Sequence, residues 1–85
     1  MTIDYDLDAD AAYIRLNNGT VESTSEESDV CILDLDSQGN IVAIELLSVF
    51  GFAGAALHAL VRNGKITREI ADSALIRVRG ELAAA

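Results

Sequence analysis

The stretch from Val30 to Leu47 constrains the fold of this chain more than any other part of the sequence. Two apolar runs, VCILDLD and IVAIELL, flank the residues SQGN, which are of the types that form turns. The stretch therefore predicts an antiparallel β-hairpin with its loop at residues 37–40. The expected register pairs apolar residues on one face: Cys31 with Leu46, Leu33 with Ile44, and Leu35 with Val42. A shift by one residue would mix these side chains with acids, so the apolar pattern selects the register.

The residues before the hairpin predict three more strands. Residues 2–7 alternate apolar and acidic side chains, which is typical of a strand with one buried face. A turn rich in aspartate leads to a second strand over 11–17. The pair Asn18-Gly19 then favours a two-residue hairpin turn into a third strand. That strand runs into STSEESD, which is polar on both faces and typical of a sheet edge or a loop.

The whole pattern predicts an α+β fold in which helices cover the apolar face of an antiparallel meander sheet. The predicted elements are about five short strands over 2–7, 11–17, 20–25, 30–36 and 41–47, followed by two C-terminal helices over 53–62 and 67–82. We expect a single domain over 1–85, with the sheet in 1–47. The helical tail in 48–85 is expected to pack on one face of that sheet or on a partner subunit.

Local signals place the helix boundaries. Residues 48–54, SVFGFAG, are expected to turn the chain from sheet to helix. Asn63 or Gly64 is expected to supply the left-handed cap that ends the first helix. Thr67 is a good N-cap for the second helix.

Charge is divided unevenly along the chain, whose formal net charge is −8. Residues 1–50 contain eleven acids and one base, Arg15, for a net −10, and residues 51–85 contain three acids and five bases, for a net +2. The acidic and basic parts have opposite net charges and can attract each other, within one chain or between two chains. Such an acidic sheet argues against nucleic acid binding through its surface, because phosphates need Lys and Arg.

Composition indicates an aliphatic core in a reducing compartment. Hydrophobic residues make up 51% of the chain and aromatic residues only 5%, so a partner subunit that covers apolar surface would help a core of this size. Cys31 is the single cysteine, and the start MTIDYDLD lacks the basic and apolar parts of a signal peptide. We therefore expect a cytoplasmic protein. Residues 41–61 are apolar, but their β-branched start and Gly51 and Gly54 argue against a membrane helix.

Three aspartates, Asp6, Asp8 and Asp10, have the spacing that opens an EF-hand calcium loop. Such a loop needs Gly at its sixth position and Glu at its twelfth, where this chain has Ala11 and Asn17. We interpret the segment as a turn in which Asp6 or Asp8 accepts backbone N–H bonds. A calcium-dependent or other metal site there is kept as a third hypothesis.

The other chemically competent residues do not form a catalytic pattern. His58, the only histidine, has no evident nucleophile or orienting partner, and Cys31 is expected to be a buried, unreactive thiol. Asp34, Asp36 and Glu45 are interpreted as a solvated face of the hairpin rather than as paired catalytic carboxylates. Phosphate-loop and zinc-site spacings are missing. We therefore expect no cofactor, no metal and no enzymatic activity.

Residues 3–47 resemble a known family. The segments YDLDADAAYIRL, NG, VCILDLD and GNIVAIELL are similar to domain-of-unknown-function family 2283. Those small bacterial and phage proteins have a YDxxADALYIRL opening and a hairpin of the VILDLDxxGxIVGIEIL kind. Ala12 replaces the usual larger aliphatic residue, and Leu7 stands where a turn residue is common. The resemblance implies an antiparallel sheet and no catalytic residues. Because some members occur beside toxin-like genes, it also implies an antitoxin-like alternative.

Besides the metal-site hypothesis, these observations lead to two functional hypotheses. The first is a non-enzymatic protein-interaction module that homodimerises through its helical tail, because that tail is too apolar for one small sheet. The expected contacts are apolar side chains of the tail: Phe50, Phe52, Leu57, Leu60, Leu75 and Ile76. The alternative is an antitoxin-like or inhibitory protein whose acidic sheet face masks a basic protein partner.

Overall fold

A computed structural model describes all residues 1–85 as five β-strands followed by two α-helices. The strands are β1 (Thr2–Asp6), β2 (Ala11–Arg15), β3 (Ser23–Ser28), β4 (Cys31–Leu35) and β5 (Ile41–Leu47). The helices are α1 (Val49–Arg62) and α2 (Arg68–Ala84). All neighbouring strands are antiparallel. The predicted α+β fold, an antiparallel sheet followed by two helices, is confirmed.

The strand order is β1-β2-β5-β4-β3, so the expected meander order is wrong. β2 pairs with β5 rather than with β3, and the predicted hairpin turn at Asn18-Gly19 does not form. Residues 16–22 instead carry the chain past the ends of β5 and β4 to the far edge of the sheet. There the backbone N–H of Glu22 donates to the carbonyl of Leu35 at 2.8 Å.

The polarity of β3 explains this order. In a meander, STSEES would occupy the centre of the sheet, and alternate residues such as Ser23 and Ser25 would face the core. The observed order places β3 at the edge, as its composition indicates. The centre goes to β5, in which Val42, Ala43 and Ile44 are all buried. Burial of the most apolar strand therefore outweighs a local turn preference.

The β4–β5 hairpin keeps two of its three expected apolar pairs. The third is wrong, since Leu35 lies opposite Ile41 because the register shifts next to Asp34. The extra residue, Val42, is buried but lies outside the main core cluster. The β2–β3 connection covers it, and a Cβ added at Gly19 would lie 3.0 Å from Val42 Cγ2.

The two helices cover one face of the sheet. Fifteen buried residues form one core cluster, to which β2, β4, β5, α1 and α2 all contribute. α1 packs against β5, and α2 packs against β1. No polar or charged residue is buried. The helical tail therefore packs on the sheet of its own chain.

α1 begins at Val49, four residues before its predicted start. Ser48 has a positive φ of 55° and makes no side-chain capping bond. Asp10 caps the helix instead. Its backbone carbonyl accepts the N–H of Val49 at 3.0 Å, and its carboxylate accepts the N–H of Phe50 at 3.2 Å. Phe50 and Phe52 therefore belong to the first turn of α1 rather than to a connection.

The connection between the helices follows the local signals closely. The N–H of Lys65 donates to the carbonyl of Leu60 at 2.8 Å, and Gly64 has a φ of 72°, as in a Schellman cap. The Thr67 hydroxyl oxygen then accepts the N–H of Ile70 at 3.2 Å. The expected N-cap of α2 and left-handed end of α1 are both confirmed.

The apolar run over 41–61 is divided between two elements. Its first part is β5, and the remainder lies in α1. Neither helix of this structure has the length and hydrophobicity needed to cross a membrane.

Candidate interaction surface

The six residues predicted to make contacts differ in how exposed they are. Three of them are exposed on the helices: Phe50 (85%), Ile76 (69%) and Phe52 (53%). Leu57 and Leu60 are 1% and 2% exposed and belong to the core of the chain. Leu75 is partly buried against that core. Of the six predicted contact residues, only the two phenylalanines and Ile76 are therefore exposed.

A shallow groove lies between α1 and α2, beside Phe50. On the α1 side it is lined by Gly51 and Gly54, and nothing lies within 4 Å of a Cβ added at either position. On the α2 side it is lined by Leu75 and Leu82, which are both partly buried. The helical layer thus combines a protruding aromatic ring with a shallow hollow.

Asp10 fixes the start of α1 and thereby the position of Phe50. In addition to capping the helix, Asp10 Oδ1 accepts the hydroxyl of Tyr5 at 2.9 Å. A carboxylate is favoured at a helix N-terminus, where the backbone N–H groups have no partner within the helix. Burial, and then the hydrogen bond and negative charge of Asp10, raise the pKa of Tyr5. Sequence reasoning missed this role, because the cap lies 40 residues from the helix.

The rest of the Asp-rich turn is held by its own backbone. Asp6 Oδ1 accepts the N–H of Asp8 at 3.1 Å and of Ala9 at 3.2 Å, as expected for an Asx-type turn. The carboxylates of Asp6 and Asp10 are thus engaged in separate hydrogen bonds. No group of three or more His, Cys, Asp or Glu side chains is arranged to hold a metal ion.

Cys31 and His58 lie in different environments. Cys31 is buried in the core, and burial, with a contribution from the charge of Glu27, raises the pKa of its thiol to about 11. The thiol therefore stays protonated at neutral pH and lacks the character of a nucleophile. His58 is exposed on α1 and, together with Asp72, lines a second hollow between the helices.

The sheet face opposite the helices carries a row of acids. Five residues from the five strands lie side by side across it: Asp4, Tyr13, Glu45, Ile32 and Glu26. The Tyr13 hydroxyl donates to Asp34 on β4, so its ring crosses β5, which accounts for the full burial of Ala43. That hydrogen bond, and then burial, raise the pKa of Tyr13.

The three hairpin acids have separate roles. Asp34 accepts the Tyr13 hydroxyl, whereas Asp36 accepts the backbone N–H groups of Gln38 and Asn40 at 2.9 Å each. The bond from Asn40, with that from Gln38, lowers the pKa of Asp36. Asp36 therefore stabilises the β4–β5 turn. Of the three hairpin acids, only Glu45 belongs to the row of acids on the open sheet face.

The sheet and the helical tail share a single ion pair. Lys65 Nζ lies 3.5 Å from Glu27 Oε1, which links β3 to the connection between the helices. The remaining acids of the sheet and the four arginines of residues 51–85 have no ion-pair partner within the chain. Most of the charge on both layers is therefore free to act on another molecule.

Comparison with known proteins identifies a family. A family model described as Protein of unknown function (DUF2283) matches residues 2–49, which include all five strands and the first residue of α1. No curated protein and no solved structure significantly matches the chain. Since the matched residues make up more than half of its length, the chain belongs to the DUF2283 family of proteins of unknown function.

Proposed function

We propose that this protein is a non-enzymatic interaction module that forms a homodimer through its helical layer. The observation that carries the proposal is the exposure of Phe50, Phe52 and Ile76 on the two helices. Burying apolar surface is worth about 25 cal/mol per Å², so an interface over these side chains is a direct source of binding free energy.

The charge distribution also favours dimer contact through the helical face. The half of the chain that forms the sheet has a net charge of −10, and residues 51–85 have a net charge of +2. Two copies that met through their sheets would repel each other strongly. Contact through the helices keeps the two acidic sheets apart, so like-charge repulsion opposes this arrangement least.

Size-exclusion chromatography with light scattering tests the homodimer. The wild type is expected at twice its chain mass of 9.0 kDa, and Ile76→Asp is expected at the mass of one chain with unchanged circular dichroism. Leu7→Asp is the matched control, since Leu7 is similarly exposed (61%) but lies in the β1–β2 turn. It should remain a dimer. A folded wild-type monomer at micromolar concentration would remove the proposal.

A second function, masking of a basic protein by the open sheet face, is supported by the acidic row on that face. Asp4, Glu45 and Glu26 lie in this row without an ion-pair partner in the chain. A concentrated negative surface attracts a basic partner, and the attraction weakens as salt is added.

This alternative is tested by co-purification of a small basic protein with two doubly neutralised variants. Asp4→Asn with Glu45→Gln is expected to lose such a partner, because it neutralises two of the three acids in the row. Glu69→Gln with Glu81→Gln removes the same charge from α2 and should retain the partner. Retention by the first variant, or equal loss from both, would count against masking by the sheet face.

A further inference from the structure

α2 carries an exposed stripe that the core of the chain does not use. Its residues follow one another at alternating spacings of three and four: Glu69, Asp72, Ile76, Arg79 and Ala83, all of them exposed. This is the spacing of a coiled-coil seam. The buried stripe of α2, which contains Ala71, Ala74 and Val78, lies on another side of the helix and packs on the sheet. α2 therefore has an exposed stripe with an isoleucine at its centre and a charged residue on either side of it.

The charges of this stripe are complementary to those of the same stripe on a second copy of the chain. Asp72 lies four residues before Ile76, and Arg79 lies three residues after it. When two copies of α2 cross antiparallel at Ile76, Asp72 of each copy falls opposite Arg79 of the other. A parallel arrangement would oppose like charges instead. Charged residues that flank a helical seam set the orientation of the partner in this way.

Neither charge is satisfied within the chain. The only ion pair joins Lys65 to Glu27, so Asp72 and Arg79 have no such partner. Arg79 also lines the groove beside Phe50, which places the most exposed aromatic residue next to the stripe. Phe50 and the stripe on α2 therefore border the same groove.

We propose that a second copy of this chain docks antiparallel on α2 about a two-fold axis at Ile76, with Asp72 of each copy paired with Arg79 of the other. This inference rests on the proposed homodimer and specifies its surface. Because each copy uses the same patch, the contact closes as a dimer and does not extend into a filament. The sheets lie on the outer sides of the two α2 helices, so the acidic faces point away from each other.

Charge reversal, alone and in combination, tests the pairing. Asp72→Arg leaves a cation on both sides of Ile76, and Arg79→Asp leaves an acid on both sides of it, so each variant alone should dimerise about tenfold more weakly or worse. The two single variants mixed together should form a heterodimer, because every acid then faces a base. The double variant, Asp72→Arg with Arg79→Asp, should regain the homodimer. Sedimentation velocity measures all four samples.

Arg77→Asp is the matched control. Arg77 is exposed on α2 but lies outside the stripe, so this variant has the charge change of Arg79→Asp and should remain a dimer. A monomeric wild type would overturn the homodimer itself. A dimeric wild type would leave the homodimer standing but overturn the α2 contact if the single variants stay dimeric, if the mixture and the double variant fail to associate, or if Arg77→Asp dissociates equally.

Discussion

The carboxylate of Asp10 joins the first turn of the chain to its first helix. It accepts hydrogen bonds from the backbone of Phe50 and from the hydroxyl of Tyr5, and its own carbonyl accepts the N–H of Val49. Asp10 has a positive φ of 50°, a conformation that aspartate tolerates better than most residues. One residue thus orients α1 and the aromatic ring on which the proposed interface depends.

Asp10→Ala is expected to lower the free energy of unfolding by about 1–2 kcal/mol, the usual effect of removing a side-chain cap and leaving donors without an acceptor. Urea denaturation monitored by circular dichroism measures the change. Asp8→Ala, at an exposed position of the same turn, should change stability by less than about 0.5 kcal/mol. Equal effects of the two substitutions would show that Asp10 does not act as the cap.

Cys31 makes the stability of the fold decrease as the pH becomes alkaline. Its pKa is about 11 in the folded chain, above its ordinary value of 9.0, so the folded protein holds the thiol proton more tightly than the unfolded chain. This contribution is fully present below about pH 9.0 and is lost as the pH rises toward about 11. Between these values the wild type should lose more stability than Cys31→Val, which keeps both tyrosines and therefore their alkaline titration. Parallel stability profiles of the two proteins, measured by denaturation at each pH, would exclude this role.

At the scale of the elements, the β2–β3 connection is the segment where local preference and packing disagree. An Asn-Gly pair favours a tight hairpin, yet the chain crosses to the far edge so that β5 can occupy the centre of the sheet. The path of this connection depends on the close approach of the Gly19 backbone to neighbouring side chains. A Cβ there would lie 2.8 Å from Asn17 Oδ1 and 3.0 Å from Val42 Cγ2. Glycine is therefore needed here for space, not for a turn.

Gly19→Ala is expected to destabilise the fold by about 1–3 kcal/mol, as overpacking of a close contact usually does. Asn17 cannot move away freely, because its side chain accepts the N–H of Gly19 at 2.9 Å and donates to the carbonyl of Ile41 at 3.1 Å. Thr20→Ala, at the next and exposed position, is the control and should be nearly neutral. The comparison is made by chemical denaturation. A Gly19→Ala variant as stable as the control would contradict the close approach.

At the scale of the whole molecule, most of the acids lie in a different layer from the exposed apolar side chains of the helices. The sheet carries most of the acids on its open side and on its edge, while the helices carry Phe50, Phe52 and Ile76. The two proposed functions use opposite faces, so one chain could form the homodimer and bind a basic partner at once. The charge-reversal and neutralisation variants separate these activities because each acts on one face only.

Local sequence determined much of the secondary structure of this protein. Alternating apolar residues gave the strands and most of the β4–β5 register, and Thr67 and Gly64 gave the boundaries between the helices, because each signal acts through neighbours within a few residues. The exposure of Ile76 is also consistent with its sequence position, two residues from both Ala74 and Val78 in the buried stripe of α2.

Only the tertiary structure decided the strand order, the start of α1 and the division of the six expected contact residues into exposed and buried ones. The physical reason is common to all three. The centre of the sheet goes to the strand that buries the most apolar surface. Asp10 lies 40 residues from the helix residue that it caps, and Leu57 and Leu60 are covered by strands distant in sequence. Such long-range contacts compete with local preference and leave no local pattern in the sequence.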